Sequence, residues 1–396
     1  MVTTESLLEA YYDCRRSKRR TASAIEYEMN YESNLISLRD RINSRTYHPG
    51  RSICFVVRRP RYREVFAASF EDRIIHHFIA LRLTPLFEEI FSPRTFNCRK
   101  GKGQLYGVEM LKKDIRKCSN GYTTDCYILK LDLKGFFMSI DKRMLNEKIC
   151  RFVGEKYQGE DKGDLLYLCQ QVIMHEPQKD CQKQSPSSYW KQLDKHKSLF
   201  TNGEGKGLAI GNLFSQIFAN YLLNPLDWFL EDEGIEYHGR YVDDFYCVHP
   251  DRQELLCLIP KIRTLLGGLG LRLNEKKTYI QHYSKGVEFT GAVIKPGRTY
   301  VCNRNIANAT AAVIRLNKAR NDREAIDDIN SINSYLGIMR HHNEYANRRR
   351  LLNHISHDVY KEYIYIKGRY ERLAMKRKYI LRNKTLRRIR RNEYWE

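Results

Sequence analysis

The sequence predicts an α+β fold, in which short apolar strands that end at carboxylates lie among segments of helical period. Residues 127–133 form a β-branched and apolar run that reaches Asp132. Residues 237–248 are typical of two strands joined at Asp243 and Asp244, a hairpin with acidic residues at its tip. Helical period dominates at the beginning of the chain and again after residue 303. We therefore expect a small acidic sheet that is backed by helices.

Local patterns place the other elements in chain order. The first 45 residues have the spaced apolar positions of one or two amphipathic helices, and residues 52–57 are β-rich and lead into a basic hairpin loop. Pro85 should break or kink a helical segment at residues 70–91. Further helices are predicted at 208–230 and 253–269, and short strands at 271–273 and 287–289. After residue 303 the pattern is purely helical, and after residue 366 it is strongly basic.

Net charge indicates the kind of partner. Lys and Arg number 69 against 47 Asp and Glu, which gives a formal charge of +22 spread along the chain. An excess of this size is typical of proteins that bind a dense polyanion, so we expect nucleic acid. Hydrophobic residues make up 42% of the chain, a proportion that excludes a wholly disordered protein.

Cysteine usage and hydropathy predict the compartment. None of the 11 cysteines shows the CxxC spacing of a zinc site or a redox dithiol. Their odd number and the lack of a signal peptide indicate free thiols in a reducing environment. No apolar run approaches the ~20 residues that a membrane span requires. We expect a soluble, cytoplasmic protein with no membrane partner.

The three aspartates suit one chemistry. Nucleotide polymerisation uses two divalent cations, which activate the primer 3′-hydroxyl and hold the triphosphate. Mg²⁺ prefers a few carboxylate oxygens, with phosphates and water completing its shell. A strand end with Asp132 beside a hairpin tip with Asp243 and Asp244 would supply these oxygens. Each aspartate alone is more often a turn residue or a helix cap, but the apolar strands around them favour a metal site.

Residues 241–245 (Tyr-Val-Asp-Asp-Phe) resemble the YxDD box of reverse transcriptases, and residues 131–137 resemble their first catalytic box. Other blocks of that family follow in the family's order: Arg63 with Asp72 and Arg73, residues 99–103, residues 207–216, Lys277 with Thr278, and residues 289–291. The resemblance covers roughly residues 50–350. It implies an RNA-directed DNA polymerase, a nucleotidyltransferase with the right-hand fold of fingers, palm and helical thumb.

This resemblance also implies a division of the chain. Residues 1–45 would be an N-terminal helical extension, 46–125 the fingers, 126–300 the palm, 301–366 the helical thumb and 367–396 a basic C-terminal tail. The palm would carry the small antiparallel sheet with the catalytic hairpin. It would also include part of the fingers and an insertion at residues 150–205.

The family's metal ligands fall on acidic positions of this chain. Asp132 and Asp243 would bridge two Mg²⁺ ions, for which Mn²⁺ could substitute, and the Leu133 carbonyl would be an additional ligand. Asp244 would either bind metal or support the geometry of the other two. The same three aspartates would be the catalytic residues.

Substrate contacts follow from the same resemblance. Phe137 would be the steric gate that stacks under the sugar and excludes a 2′-hydroxyl. Arg63 and Arg99 would reach the incoming deoxynucleoside triphosphate, because guanidinium groups match phosphate oxygens. Lys277 would protonate pyrophosphate or lie on the surface. Basic residues at 58–61, 100 and 102 would line the template path, while the thumb would grip the template–primer duplex and the tail would bind RNA.

The stretch at residues 211–216 (Gly-Asn-Leu-Phe-Ser-Gln) discriminates among reverse transcriptases. Its Ser-Gln ending resembles the enzymes of bacterial diversity-generating retroelements. Those enzymes copy a template RNA into cDNA with frequent errors opposite adenine during mutagenic retrohoming, and they act with a small basic helical accessory protein. Gln216 would lie near the templating base or the incoming nucleotide, where its amide could alter base discrimination.

Three alternatives stay open on the sequence. A retron-type or antiphage-defence reverse transcriptase shares the catalytic blocks and differs in its template RNA. A group II intron maturase without accessory domains is the second. The third is a catalytically inactive RNA-binding scaffold, against which the intact set of aspartates argues.

Overall fold

The computed structural model describes residues 1–18, 21–58 and 61–381, and the predicted α+β fold is confirmed. The strands of these ranges form four sheets. Over the part of the chain that the structure describes, none of the helices combines the length and the apolar character that a membrane crossing requires.

Three helices, rather than one or two, begin the chain: the first two pack on a fourth, longer helix, and the third packs on the first. In the first of them Leu7, Ala10, Tyr11 and Cys14 repeat at helical spacing and are all buried. The four helices are α1 (Thr4–Lys18), α2 (Ala22–Glu28), α3 (Tyr31–Asn43) and α4 (Phe70–Ile90). The helical pattern predicted for the first 45 residues is therefore confirmed.

A three-stranded sheet occupies the region predicted as fingers. β1 (Ser52–Val57) and β2 (Arg63–Ala67) form the predicted antiparallel hairpin. β4 (Cys181–Lys183) pairs with β1 in parallel and comes from the predicted insertion. The buried carboxylate of Glu64 adds a second tie, because it accepts hydrogen bonds from Ser198 Oγ at 2.6 Å and from the Leu199 amide at 2.5 Å. The insertion is thus part of the fingers sheet.

A four-stranded antiparallel sheet forms the palm. Its strands are β3 (Tyr127–Asp132), β5 (Tyr237–Tyr241), β6 (Asp244–His249) and β7 (Tyr279–His282), in the spatial order β5-β6-β3-β7. β3 lies between β6 and β7, and its Leu129 and Leu131 are fully buried. The strand and the hairpin predicted to carry the aspartates are confirmed, and they are neighbours in one sheet.

Helices surround the palm sheet and connect it to the fingers. They are α5 (Gln104–Cys118), α6 (Phe136–Ser139), α7 (Lys142–Lys156), α8 (Lys162–Met174), α9 (Ser187–Trp190), α10 (Leu213–Asp232) and α11 (Arg252–Gly268). The longest, α10, buries an apolar face that includes Phe218, Leu222 and Leu226. It packs on α4, and together they form part of the main hydrophobic core.

A short sheet and a helical region follow the palm. The sheet contains β8 (Val287–Phe289), β9 (Ala292–Lys295) and β10 (Arg298–Val301), all antiparallel. The helices are α12 (Asn303–Asn317), α13 (Asp322–Met339), α14 (Tyr345–Asn353) and α15 (His357–Glu362). An antiparallel hairpin, β11 (Ile364–Lys367) and β12 (Arg372–Met375), ends this region. Its Leu373 and Met375 belong to a thumb core that is separate from the core of the palm.

The helix α4 runs through Pro85 without a break, and the alternative that Pro85 kinks the helix stays a prediction. Three other local predictions are wrong. α10 begins at Leu213 rather than at residue 208, because Gly207 and Gly211 lie at positive φ and the intervening residues form a loop. Residues 271–273 form a single bridge to Leu133 instead of a strand. The β11–β12 hairpin interrupts the predicted purely helical pattern and crosses the predicted boundary between thumb and tail, and residues 382–396 of that tail lie outside the described ranges.

Candidate active site

Asp132 lies at the end of a rigid strand, where both of its carboxylate oxygens are engaged. The Asn274 side-chain amide donates to Oδ1 at 3.0 Å, and the ammonium of Lys277 lies 2.6 Å from Oδ2. The backbone is fixed as well, since the Asn274 amide donates to the Asp132 carbonyl at 2.8 Å. Gly135 then takes a left-handed conformation, φ 58°, and α6 begins directly after it. The prediction that the β3 strand ends at a carboxylate is therefore confirmed.

The tip of the β5–β6 hairpin is strained and is held by a buried network. Val242 has φ 59°, a conformation that a β-branched residue rarely adopts. Its amide donates to Asn97 Oδ1 at 2.9 Å, and Arg240 Nη1 donates to its carbonyl at 3.1 Å. Arg240 is itself buried and pairs with the buried Asp227 at 2.5 Å. These hydrogen bonds and the buried ion pair therefore fix the conformation of the hairpin tip.

The register of the sheet brings Asp132 and Asp243 together. Asp132 is opposite Asp244 across the β3–β6 pair, and the Leu133 amide donates to the Asp243 carbonyl at 3.3 Å. Burial raises the pKa of Asp243, and the negative charge of Asp132 raises it further. Arg63 and Lys277 act in the opposite direction and lower the pKa. Two carboxylates that repel each other in a partly buried site favour the binding of a cation.

Asp244 has a different environment, although it is adjacent in sequence. Its carboxylate forms an ion pair with the ammonium of Lys130, a buried residue of β3. Its other oxygen accepts a hydrogen bond from the Thr290 amide at 3.3 Å. Burial lowers the pKa of Lys130, while the nearby carboxylates of Asp132 and Asp243 act against that shift.

The donor set fits a hard divalent cation. Within residues 1–18, 21–58 and 61–381, no three His, Cys, Asp or Glu side chains converge as a metal site on their own. Asp132 and Asp243 supply carboxylate oxygens from two strand ends, and Mg²⁺ in phosphate-processing sites is usually bound by one or two carboxylates plus substrate phosphates. The residues therefore fit a metal that binds together with a nucleotide.

Two aromatic residues follow the first aspartate and have unequal exposure. Phe136 is buried in the palm core, whereas Phe137 is half-buried and its ring centre is 5.3 Å from that of Phe136. The Leu208 amide donates to the Phe137 carbonyl at 2.8 Å and so ties this turn to the loop before α10. Of the two rings, that of Phe137 is the one that a sugar could contact. Its role as the steric gate stays a prediction.

The loop at residues 207–211 packs tightly between palm and fingers. The Ile210 carbonyl accepts a hydrogen bond from the Phe66 amide at 2.9 Å. A Cβ on Gly211 would lie 2.7 Å from the Phe66 carbonyl oxygen, so only glycine fits there. Gln216 follows on α10 with an exposed side chain whose Oε1 accepts a hydrogen bond from Cys98 Sγ at 2.7 Å. The amide predicted to affect base choice is thus exposed and held by one partner.

The predicted triphosphate ligands differ in availability. Arg63 begins β2, is exposed, and lies near enough to Asp243 to lower the pKa of that carboxyl. Arg99 instead pairs with Glu88 at 2.7 Å and donates to the Ser92 carbonyl at 2.6 Å. The Arg99 side chain is 7% exposed, so binding a triphosphate would require its guanidinium to exchange these partners. Its predicted role stays a prediction.

Other basic residues are distributed as follows. Lys102 donates to the Pro93 carbonyl at 2.8 Å, whereas Lys100 and Arg58 are exposed, and Arg58 lies 4.9 Å from the ring centre of Tyr189. Residues 59 and 60 of the predicted template path lie outside the described ranges. Arg340 follows α13 and is exposed. Their contacts with nucleic acid stay predictions.

The sequence analysis missed Lys130, Asn97 and the pair Arg240–Asp227. A lysine inside the apolar run of residues 127–133 is a signal, because a charge in a buried strand needs a counter-charge. Nothing local indicates the role of Asn97, since it becomes a partner of Val242 only through the tertiary fold.

Comparison with known proteins decides the family. The model of the family described as reverse transcriptase (RNA-dependent DNA polymerase) matches residues 58–294, more than half of the chain. The chain belongs to the reverse transcriptase family. The match begins just before Arg63 and ends after Lys277, so it includes the predicted catalytic and substrate-binding positions of this reverse transcriptase.

Individual relatives are distant. Protein YkfC of Escherichia coli (strain K12) is 20% identical over 293 residues, which are 64% of this chain and 69% of that protein. Among solved structures, apo telomerase from Candida tropicalis matches 73% of this chain with 14% identity and a TM-score of 0.48. Telomerase from Candida albicans, in complex with a fragment of telomeric RNA, matches 79% with 12% identity and a TM-score of 0.45. The chain spans only 52% and 58% of these two telomerase chains.

Proposed function

We propose that the chain is an RNA-directed DNA polymerase that copies a dedicated RNA template into cDNA. The observation that carries this proposal is the pair Asp132 and Asp243. The negative charge of Asp132 raises the pKa of Asp243, and the cations of Arg63 and Lys277 lie close to these carboxylates. Together with membership of the family, this arrangement supports nucleotide transfer on a template–primer duplex.

The chain's own residues would bind and orient the substrates. Arg63 would bind the phosphates of a deoxynucleoside triphosphate through its planar guanidinium. Lys277 is half exposed, so its ammonium can leave Asp132 and donate a proton to the departing pyrophosphate. Phe137 would support the sugar and exclude a 2′-hydroxyl by contact. Each of these groups lies on an element that the palm or fingers sheet holds in place.

Metal ions would be held by the same carboxylates. Asp132 and Asp243 would bind two Mg²⁺ ions, with Mn²⁺ as a substitute, and the Leu133 carbonyl and Asp244 are the further ligands that the family resemblance implies. When bound, the ions would lower the pKa of the primer 3′-hydroxyl and stabilise the charge on the leaving pyrophosphate. The carboxylates' mutual repulsion is the feature of this structure that favours their binding.

The first test is primer extension on an RNA template with deoxynucleoside triphosphates and Mg²⁺. Asp243→Asn should reduce incorporation by about a thousandfold or more, since it removes a carboxylate that acts only with the bound metal. Asp251→Asn is the control, because Asp251 is exposed. Asp227 is buried, so its substitution would not be a suitable control. Retained synthesis by a folded Asp243→Asn variant contradicts the proposal and supports the inactive scaffold.

We further propose the diversity-generating type, with template RNA, an RNA–cDNA duplex and a small basic helical accessory protein as partners. The exposed Gln216 amide beside the palm–fingers loop supports this assignment. The eleven free cysteines support a reducing, cytoplasmic setting. The alternative is a retron-type or antiphage-defence enzyme. Sequencing the RNA that co-purifies with the chain distinguishes the two assignments. A template flanked by repeats that differ at adenines supports the diversity-generating type, and a dedicated structured RNA supports the alternative.

The second test measures errors in the cDNA. Gln216→Pro should reduce misincorporation opposite adenine by about tenfold, because it removes the amide that we propose lies near the base pair. Gln216→Glu keeps the length of the side chain and the backbone N–H but also removes the amide, so it should reduce these errors in the same way and separates the loss of the amide from the effect of proline on the helix. Sequencing of the cDNA counts the errors at each template base, and an unchanged rate opposite adenine in Gln216→Pro refutes the role of this amide.

A further inference from the structure

The turn at residues 135–140, here called the gate turn because it carries Phe137, is held by a segment far along the chain. The Leu208 amide donates to the Phe137 carbonyl at 2.8 Å, and the Gly207 amide donates to the Ile140 carbonyl at 2.8 Å. The two segments therefore lie side by side and are joined through their backbones. The position of the gate turn depends on where the later segment lies.

Asn202 joins the same two segments with its side chain. Its Nδ2 donates to the Met138 carbonyl at 2.7 Å and to the Lys206 carbonyl at 3.0 Å. Because both acceptors are carbonyl oxygens, only the nitrogen of the amide can make these contacts. Met138 follows Phe137 directly and is buried. One half-buried amide thus fixes the backbone of the residue next to the predicted gate.

Gly207 shows how closely the Asn202 amide is packed. Its φ is 90°, and a Cβ on it would lie 2.7 Å from Asn202 Nδ2 and 2.6 Å from Leu199 Cδ2. Both the left-handed backbone and the lack of space require glycine at this position. The amide is therefore enclosed on this side, which restrains it to its two carbonyl acceptors.

The ring of Phe137 packs against a small apolar cluster to which the predicted insertion contributes. Leu199 comes from the insertion, and its amide donates to the buried Glu64 carboxylate of β2 at 2.5 Å. The other buried members come from the fingers strands, the gate turn and the loop before α10: Cys54, Phe66, Met138 and Ala209. The insertion therefore contacts both the backbone of the gate turn and the cluster beneath the ring.

We infer that Asn202 is a positioning residue for sugar selection, through which the insertion at residues 150–205 holds the ring of Phe137 where it excludes a 2′-hydroxyl. This inference deepens the proposed function and rests on the proposed role of Phe137. Exclusion by contact requires a ring fixed to within about 0.5 Å, because a ring that moves away leaves space for the hydroxyl. The helix α6 has only four residues and is too short to hold the ring alone. The hydrogen bonds of Asn202 supply the missing restraint.

Asn202→Asp tests the inference with the least change of shape, because it keeps the size of the side chain and removes both N–H donors. A carboxylate would then face two carbonyl oxygens, so the gate turn should move away from residue 202. Discrimination between deoxyribo- and ribonucleoside triphosphates, measured as the ratio of their kcat/KM values on an RNA template, should fall by about tenfold. The kcat/KM for deoxynucleotides should stay within about twofold, whereas a general defect would lower both values together.

Gln192→Glu is the matched control, because it makes the same change from amide to acid at an exposed position of the insertion. It should leave the ratio unchanged. A double variant separates positioning from a general effect. Once Phe137→Ala has removed the ring, Asn202→Asp should change the ratio no further, because Asn202 acts through that ring. An equal further change in the Phe137→Ala background overturns the inference, as does an unchanged ratio in folded Asn202→Asp.

The melting temperature of each variant identifies a loss of folding. If Asn202→Asp does not fold, Asn202→Ala removes both donors without adding a charge and should relax the ratio in the same direction. An unchanged ratio in Asn202→Ala overturns the inference. Failure of the proposed function gives a different result: an unchanged ratio in Phe137→Ala refutes the gate itself, and incorporation by Asp243→Asn refutes the polymerase. A relaxed ratio in Phe137→Ala with an unchanged ratio in Asn202→Asp refutes only the role of Asn202.

Discussion

Val242 is the residue on which the geometry of the hairpin tip depends. A valine at φ 59° costs on the order of 1 kcal/mol or more, and the surrounding structure must supply that energy. Asn97 and Arg240 do so through hydrogen bonds to its amide and its carbonyl. Val242 is the first residue of the two-residue turn between the paired Tyr241 and Asp244, where a positive φ matches the twist of the strands, and this conformation places Asp243 at the tip.

Asn97→Ala should therefore impair catalysis more than substrate binding. Without the amide acceptor, the tip can relax, and kcat should fall by about tenfold while the KM for the nucleotide changes little. Steady-state incorporation and thermal melting measure the two effects. Asn303→Ala, at the first residue of α12, is the control because Asn303 is exposed. A lower melting temperature with full kcat would show that Asn97 is only structural.

At the scale of elements, one side chain of α13 makes two hydrogen bonds to the β11–β12 hairpin. Asn333 of α13 donates to the Leu373 carbonyl at 2.8 Å and accepts from the Leu373 amide at 2.8 Å. Leu373 also packs in the thumb core. The hairpin is therefore part of the thumb, and the described part of the predicted basic tail is anchored to it.

Asn333→Ala should release the hairpin without unfolding the thumb. Loss of two hydrogen bonds to one buried residue costs about 1–3 kcal/mol, and amide hydrogens of β11 and β12 should exchange faster by a corresponding factor. Asn317→Ala is the matched control, since Asn317 makes the same two-sided contact with His354 and Ser356. Hydrogen exchange that speeds up equally across the whole thumb would contradict this local role.

Local pattern was sufficient for some elements and insufficient for others. Asp132 and Asp243 were predictable because apolar strands on either side identify them within a few residues. β4 and the Glu64–Ser198 contact were not, since the partners are more than a hundred residues apart in sequence. Ile364, Ile366, Leu373 and Met375 do alternate as strands require, but the surrounding basic residues concealed that period.

For the whole molecule, His76 connects the packing of two long helices to acid stability. Its ring lies between α4 and α10, 4.7 Å from the ring centre of Phe214. Burial lowers its pKa from the ordinary 6.5 to about 3, and the nearby His77, Arg73 and His175 contribute to that shift. As the pH falls, His76 therefore takes up a proton at a higher pH in the unfolded chain than in the folded chain. The folded state keeps its full stability while the pH is above the ordinary histidine pKa, and it loses stability as the pH falls from there towards the pKa of His76 in the folded chain.

His76→Leu should reduce this acid sensitivity. The unmodified chain should lose on the order of 1 kcal/mol of unfolding free energy per pH unit through this residue, and the variant should lose less between about pH 6 and pH 4. Urea unfolding at several pH values measures the slope. His48→Leu is the control because His48 is exposed. An identical slope in the His76 variant would assign the acid sensitivity to other groups.

The strand order of the palm has a consequence for synthesis of the chain on the ribosome. β3 is made early, yet both of its neighbours, β6 and β7, come from much later in the sequence. Its unpaired edges must wait until residues 244–249 and 279–282 have left the exit tunnel, and such long-range pairing is slow and prone to aggregation. The nascent strand with Asp132 therefore stays unpaired until these later segments emerge, and the Lys130 charge in its middle is suited to discourage association with other chains in that interval.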